Sequence, residues 1–102
     1  MDLNKAIRQA VDTGKVELGS EKTRKLALLG GAKLIFLANN VPKGTLRDLE
    51  HYAKLSNVPV LEFNGTSIEL GTICGKPFPV SALSIIEPGH SEVLKAAEGG
   101  KN

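Results

Sequence analysis

Residues Lys33 to Ala38 read KLIFLA, five apolar side chains in a row after one lysine. A strand with one wet face alternates apolar and polar residues. An unbroken run of this length instead predicts a central strand covered on both faces. Such a strand needs helices above and below it, and the flanking sequence supplies them. Leu3, Ala6, Ile7, Ala10 and Val11 keep the three-to-four spacing of an amphipathic helix that Gly14 would end. Lys15 to Leu18 is a short strand with Gly19 as its exit. Ser20 is placed to cap a second helix running to about Leu29, which Gly30-Gly31 stops.

Beyond the central run, Leu46, Leu49, Tyr52 and Ala53 mark a third helix after Pro42. Val58 to Phe63 makes another strand, with Pro59 near its start. Thr66-Ser67-Ile68-Glu69 fits a capping box, so a short helix should begin there. Ala82 to Ile86 is the last strand, Ser91 to about Ala97 a closing helix, and Glu98 to Asn102 a frayed tail. Strands alternating with helices imply an α/β sandwich with a mixed or parallel sheet and helices on both faces. The 102 residues, with no linker or repeat, correspond to a single domain.

Composition narrows the class. With 41% apolar and 24% charged residues the chain suits a globular protein in water, and no segment approaches the ~18 uninterrupted apolar residues of a membrane span. The N-terminal MDLNKAIRQAV carries an acid where an export signal is basic, and one cysteine, Cys74, suits a reducing compartment, so a cytoplasmic protein is expected. Asn64-Gly65-Thr66 matches a glycosylation pattern but reads better as a turn into a helix cap. Thirteen basic against eleven acidic residues leave a net charge of +2, too little to identify a polyanion partner. The cluster Lys22, Arg24, Lys25 is a possible basic patch.

Three segments carry residues that packing alone does not explain. Asn39 and Asn40 end the buried strand, where ligands of open α/β sheets tend to sit; they are either turn formers tolerant of left-handed backbone or recognition groups. Gly19-Ser20-Glu21-Lys22-Thr23-Arg24-Lys25 puts cations at a helix N-terminus, which is unfavourable unless an anion such as phosphate intervenes. Lys22 and Lys25 share one helical face and either reach such a phosphate or form a solvated surface. In Gly75-Lys76-Pro77-Phe78-Pro79, prolines stiffen a loop around a phenyl ring that either stacks on an unpaired base or plugs the core.

Other chemistries fit poorly. Gly71 to Lys76 is one residue short of a phosphate-binding loop, and Pro77 stands where serine or threonine would hold magnesium. Cys74, His51 and His90 lack metal-ligand spacing, so no metal site and no cofactor are expected. A small α/β enzyme using Cys74 as nucleophile is the rival of a different class, and it requires a depressed thiol pKa.

Taken together, LGSEKTRK (18–25), GGAKLIFLANNVP (30–42), HYAKLSNVPVLEFNGTSIELGTICGK (51–76) and SALSIIEPG (81–89) resemble the L thirty e family of archaeal and eukaryotic large-subunit ribosomal proteins. The likeness runs from about Leu3 to Leu94. It implies a three-layer α/β/α sandwich with a mixed four-stranded sheet, and membership of a superfamily that binds kink-turn RNA. It also implies an RNA face comprising Gly19, Ser20, Glu21, Lys22 and Lys25, then Asn39 and Asn40, then Lys76, Pro77, Phe78 and Pro79. Family members usually carry a lysine or arginine where this chain has Glu21, so either Lys22 takes over the phosphate contact, with Glu21 accepting from a guanine edge or turned to solvent, or binding to an isolated RNA is weaker than usual. The implied partners are ribosomal RNA and neighbouring ribosomal proteins, with the free protein a monomer. A kink-turn protein of a non-ribosomal processing particle is the alternative within the binding class.

Overall fold

The computed structural model describes residues 2–99. Its elements follow local chemistry closely. Helix α1 (Leu3–Thr13) starts where the Asp2 carboxylate accepts the Lys5 N–H at 3.2 Å, and it buries Ala6, Ile7 and Ala10 as their spacing predicts. Strand β1 (Lys15–Leu18) leads through Gly19 into α2 (Ser20–Leu29), which ends on Gly30 at φ 76°, the left-handed geometry that glycine adopts without strain. Strand β2 (Leu34–Leu37) is buried at every position. Then follow α3 (Lys43–Leu55), β3 (Val60–Glu62), α4 (Ser67–Ile73), β4 (Ala82–Glu87) and α5 (Lys95–Gly99).

The sheet order is β1-β4-β2-β3, with β4 antiparallel to both neighbours and β2 parallel to β3. The alternation hidden inside KLIFLA appears in the packing. Leu34 and Phe36 join Ile7, Leu70 and Val93 on the α1 and α4 side, while Ile35 and Leu37 join Ala27, Leu49 and Ala53 under α2 and α3. Both faces are covered, so the fold is a three-layer α/β/α sandwich with a mixed four-stranded sheet. One polar pair lies within it: Ser84 Oγ donates to Thr23 Oγ1 at 2.7 Å, both residues being fully buried between β4 and α2.

Several boundaries differ from the sequence expectation, among them β3, which spans Val60–Glu62 and not Val58 to Phe63. Gly19 and not Ser20 is the N-cap of α2, and Ser20 is already helical. The expected closing helix at Ser91 begins only at Lys95, because the Ser91 hydroxyl is bonded to the carbonyl of Ala6 and accepts the Val93 N–H at 3.1 Å, holding the segment in turns. Glu98 belongs to α5 instead of a frayed tail, and residues 100–102 lie outside the described residues.

The topology fixes where the loops go. Because β4 runs against β1 and β2, its start lies beside their ends: Gly19 N–H donates to Ala82 O at 2.8 Å, and Ala38 N–H donates to Ser81 O at 2.9 Å. The loop that precedes β4 therefore shares one end of the sheet with Gly19 and with Asn39-Asn40.

Candidate nucleic-acid interface

Gly19 has φ 113° and ψ 150°, a region closed to other residues, and a Cβ built there would meet nothing within 4 Å. Glycine serves the backbone geometry and leaves open space above the turn. No side chain caps α2, so the N–H groups of its first turn lack a side-chain acceptor at the cap. The same holds for α3, which starts after Pro42. By contrast, α1 and α4 are both capped by side chains. Helices α2, α3 and α4 all begin at this end of the sheet, and in the two without a side-chain cap, α2 and α3, the dipoles and free donors favour an anion.

The carboxamide of Asn40 has a structural task. Its Oδ1 accepts the N–H of Ser67 at 2.9 Å and its Nδ2 lies 3.4 Å from Ser67 Oγ. Together with the capping box, in which Thr66 Oγ1 accepts the Glu69 N–H at 3.3 Å and Glu69 Oε1 accepts the Thr66 N–H at 3.1 Å, this satisfies the start of α4. Neither Asn39 nor Asn40 is left-handed; among the described residues the non-glycine residue with positive φ is Asn57, at 58°. Asn39 is exposed, with its N–H bonded to Gly65 O at 2.9 Å. Asn40 keeps one Nδ2 hydrogen and a lone pair on Oδ1, both held in a fixed direction by Ser67.

The loop from Gly75 to Pro79 folds back along α4. Lys76 N–H donates to Gly71 O and Val80 N–H donates to Ser67 O, each at 2.9 Å. Gly71 permits this approach, since a Cβ there would overlap the carbonyl of Phe78. The ring of Phe78 is directed outward and is 51% exposed, so it does not plug the core. Ile68, exposed at 67%, lines a shallow depression with Thr72, Lys76, Pro77, Phe78 and Pro79.

Lys22, Lys76 and Phe78 line a single groove of about 490 Å³ that continues along β1. Ser67, through its bonds to Asn40 and Val80, ties the second segment to the third. The three segments are therefore neighbours at one end of the molecule. Lys25 lies farther back, where it lines a second groove with Lys15 and Lys22. Lys22 is 3.4 Å from Glu17, and Glu21 is exposed with Arg24 at 3.7 Å, so the carboxylate that departs from the family pattern has a cationic neighbour. Sequence reading missed Arg8: its guanidinium rests against the Gly75 turn, 2.6 Å from where a Cβ would lie, and pairs with Asp12 at 3.0 Å. Only the fold could reveal this, because α1 and the loop are more than sixty residues apart in sequence.

Nucleophilic chemistry has no foothold at Cys74. The thiol is buried beside α4, and burial pushes its pKa up to about 11, against a weaker opposing pull from Lys76 and Arg8. His51 is on α3 and His90 in the turn after β4.

The model of the Ribosomal protein L7Ae/L30e/S12e/Gadd45 family matches residues 1–95. Large ribosomal subunit protein eL30 of Methanocaldococcus jannaschii is 54% identical over 98 residues, covering 96% of this chain and 89% of that protein. Its counterpart in Methanosphaera stadtmanae is 53% identical, covering 96% of this chain and 100% of that one. A solved structure of a Bacillus halodurans protein of unknown function superposes with a TM-score of 0.81 at 21% identity, covering 94% of this chain and 95% of that chain, a likeness of fold alone. The chain belongs to the Ribosomal protein L7Ae/L30e/S12e/Gadd45 family, and its similarity within it is to archaeal eL30 proteins.

Proposed function

We propose that the chain is a structural, non-enzymatic component of the large ribosomal subunit in the cytoplasm, and that it binds ribosomal RNA at a kink-turn. The names of its relatives support the ribosomal role. The finer reading rests on one observation: Gly19, Asn40 and Phe78 sit on neighbouring loops at one end of the sheet, as the hydrogen bonds Gly19 to Ala82, Asn40 to Ser67 and Val80 to Ser67 require. The uncapped starts of α2 and α3 receive phosphate, Lys22 and Lys76 neutralise it, Asn40 addresses a base edge, and Phe78 stacks on an unpaired base. Glu21, Ser20, Lys25, Asn39, Pro77 and Pro79 form the surround. Recognition is by shape: a rigid surface binds the bent RNA more tightly than the open form and shifts the population.

The test is a titration against a kink-turn RNA and against the same duplex without its internal loop. Tighter binding to the kink-turn, by at least about tenfold or 1.4 kcal/mol, is expected. Equal affinity would overturn the kink-turn reading. Co-sedimentation with large subunits through a high-salt wash separates the ribosomal role from one in a processing particle.

A further inference from the structure

Helix α3 presents a second cationic surface. Leu49 and Ala53 mark its buried side. At 100° per residue, Lys43, Arg47, His51 and Lys54 fall on the opposite side, spaced four, four and three apart, and all four are exposed. The rise of ~1.5 Å per residue sets Lys43 about 6 Å from Arg47 and about 16 Å from Lys54 along the axis.

These cations differ from five others among the described residues. Arg8, Lys22, Arg24, Lys33 and Lys95 each lie within 4 Å of a carboxylate, whereas Lys43, Arg47 and Lys54 form no ion pair among the described residues. Of the two acids on α3, Asp48 is turned toward Arg24 on α2, at 3.9 Å. Glu50 lines the groove facing β3 together with Lys43, Val60 and Glu62, on the same side of the helix as the stripe. The stripe thus carries three cations against one carboxylate, Glu50, which lies within 4 Å of none of them among the described residues, and Lys43 begins it three residues after Asn40, at the candidate interface.

The geometry points to the outward face of α3 as a second RNA contact, which holds the sugar-phosphate backbone of a segment other than the one gripped by Phe78 and Asn40. It rests on the reading of the chain as an RNA-binding protein. A backbone needs cations at intervals of several ångströms and carries no requirement for apolar contact. A protein partner needs a desolvated apolar or aromatic centre. The stripe itself contains no large aliphatic side chain, and the exposed Leu55 is the last residue of the helix.

The probe is an uninterrupted A-form RNA duplex, titrated with the full chain between about 50 and 200 mM salt. Wild type should bind it weakly and with strong salt dependence. Arg47→Glu with Lys54→Glu should weaken binding about tenfold or more and lower the slope of log Kd against log salt by about two. Phe78→Ala should leave duplex binding unchanged. Should charge reversal perturb α3, seen as a lowered Tm, Arg47→Gln with Lys54→Gln is read instead, with the same reduction in slope expected. An unchanged slope in the folded double variant overturns the inference. So does loss of co-sedimentation with ribosomal subunits while duplex binding persists, which would assign the face to a protein. The kink-turn preference, measured in the same titrations, reports separately on the first interface.

Discussion

The N–H of Ser67 donates to Oδ1 of Asn40 at 2.9 Å across a sequence gap of 27 residues, so one carboxamide joins the end of β2 to the start of α4. The asparagine is at once a cap for a distant helix and a candidate recognition group. Substitutions separate the two tasks. Asn40→Ala should cost about 1 kcal/mol of stability, the usual loss for a removed helix cap, and lower Tm by about 4–8 °C. Asn40→Asp keeps an acceptor at the helix N-terminus and should melt near wild type, yet bind RNA less well because it replaces a donor with negative charge. Equal melting of the two variants would show that the cap contributes nothing.

Phe78 is half exposed on a loop fixed by backbone bonds to α4. Replacing it with alanine should lose about 1–3 kcal/mol of RNA affinity, as for a stacked base, with Tm almost unchanged. A large fall in Tm with unchanged affinity per folded molecule would make the ring a packing element.

Thr23 and Ser84 satisfy each other in full burial. Ser84→Ala leaves the threonine hydroxyl without that partner and should destabilise by about 1–3 kcal/mol. Adding Thr23→Val removes the orphan and should restore much of the loss. Urea denaturation decides the matter, and strictly additive losses would show that the pair is not coupled.

The Cys74 thiol, raised to about 11 from 9.0, is an acid whose protonated form the fold prefers. Its contribution to stability is complete below about pH 9 and disappears as pH climbs from there toward 11, because the unfolded chain releases the proton first. Wild type should therefore lose more stability over that window than Cys74→Ala, by about 1–3 kcal/mol. Native protein should also resist iodoacetamide near neutral pH. Rapid alkylation would contradict the burial of the thiol.

Much of this architecture is written locally. KLIFLA carries the signature of a doubly covered strand, and the box from Thr66 to Glu69 announces α4 in four letters. Gly19, Asn40 and Phe78 stand out because each is expensive or unneeded for packing alone. What was not legible depends on partners remote in sequence. The Asn40 contact with Ser67 and the Arg8 contact with Gly75 cannot be inferred from spacing, and neither can the outward direction of Phe78, since the same loop sequence suits either orientation. The late start of α5 has the same origin, because Ser91 is drawn to α1.

The central position of β4 bears on how the protein is born. It is the last strand of the described chain, yet it lies between β1 and β2, and β1 has no other partner in the sheet. A nascent polypeptide displaying only its first eighty residues would hold Gly19 with no strand to align it with Asn40 and Phe78, since Gly19 is bonded to Ala82 of β4. The face proposed here to grip RNA is therefore complete only late in synthesis, when the closing strand slots home.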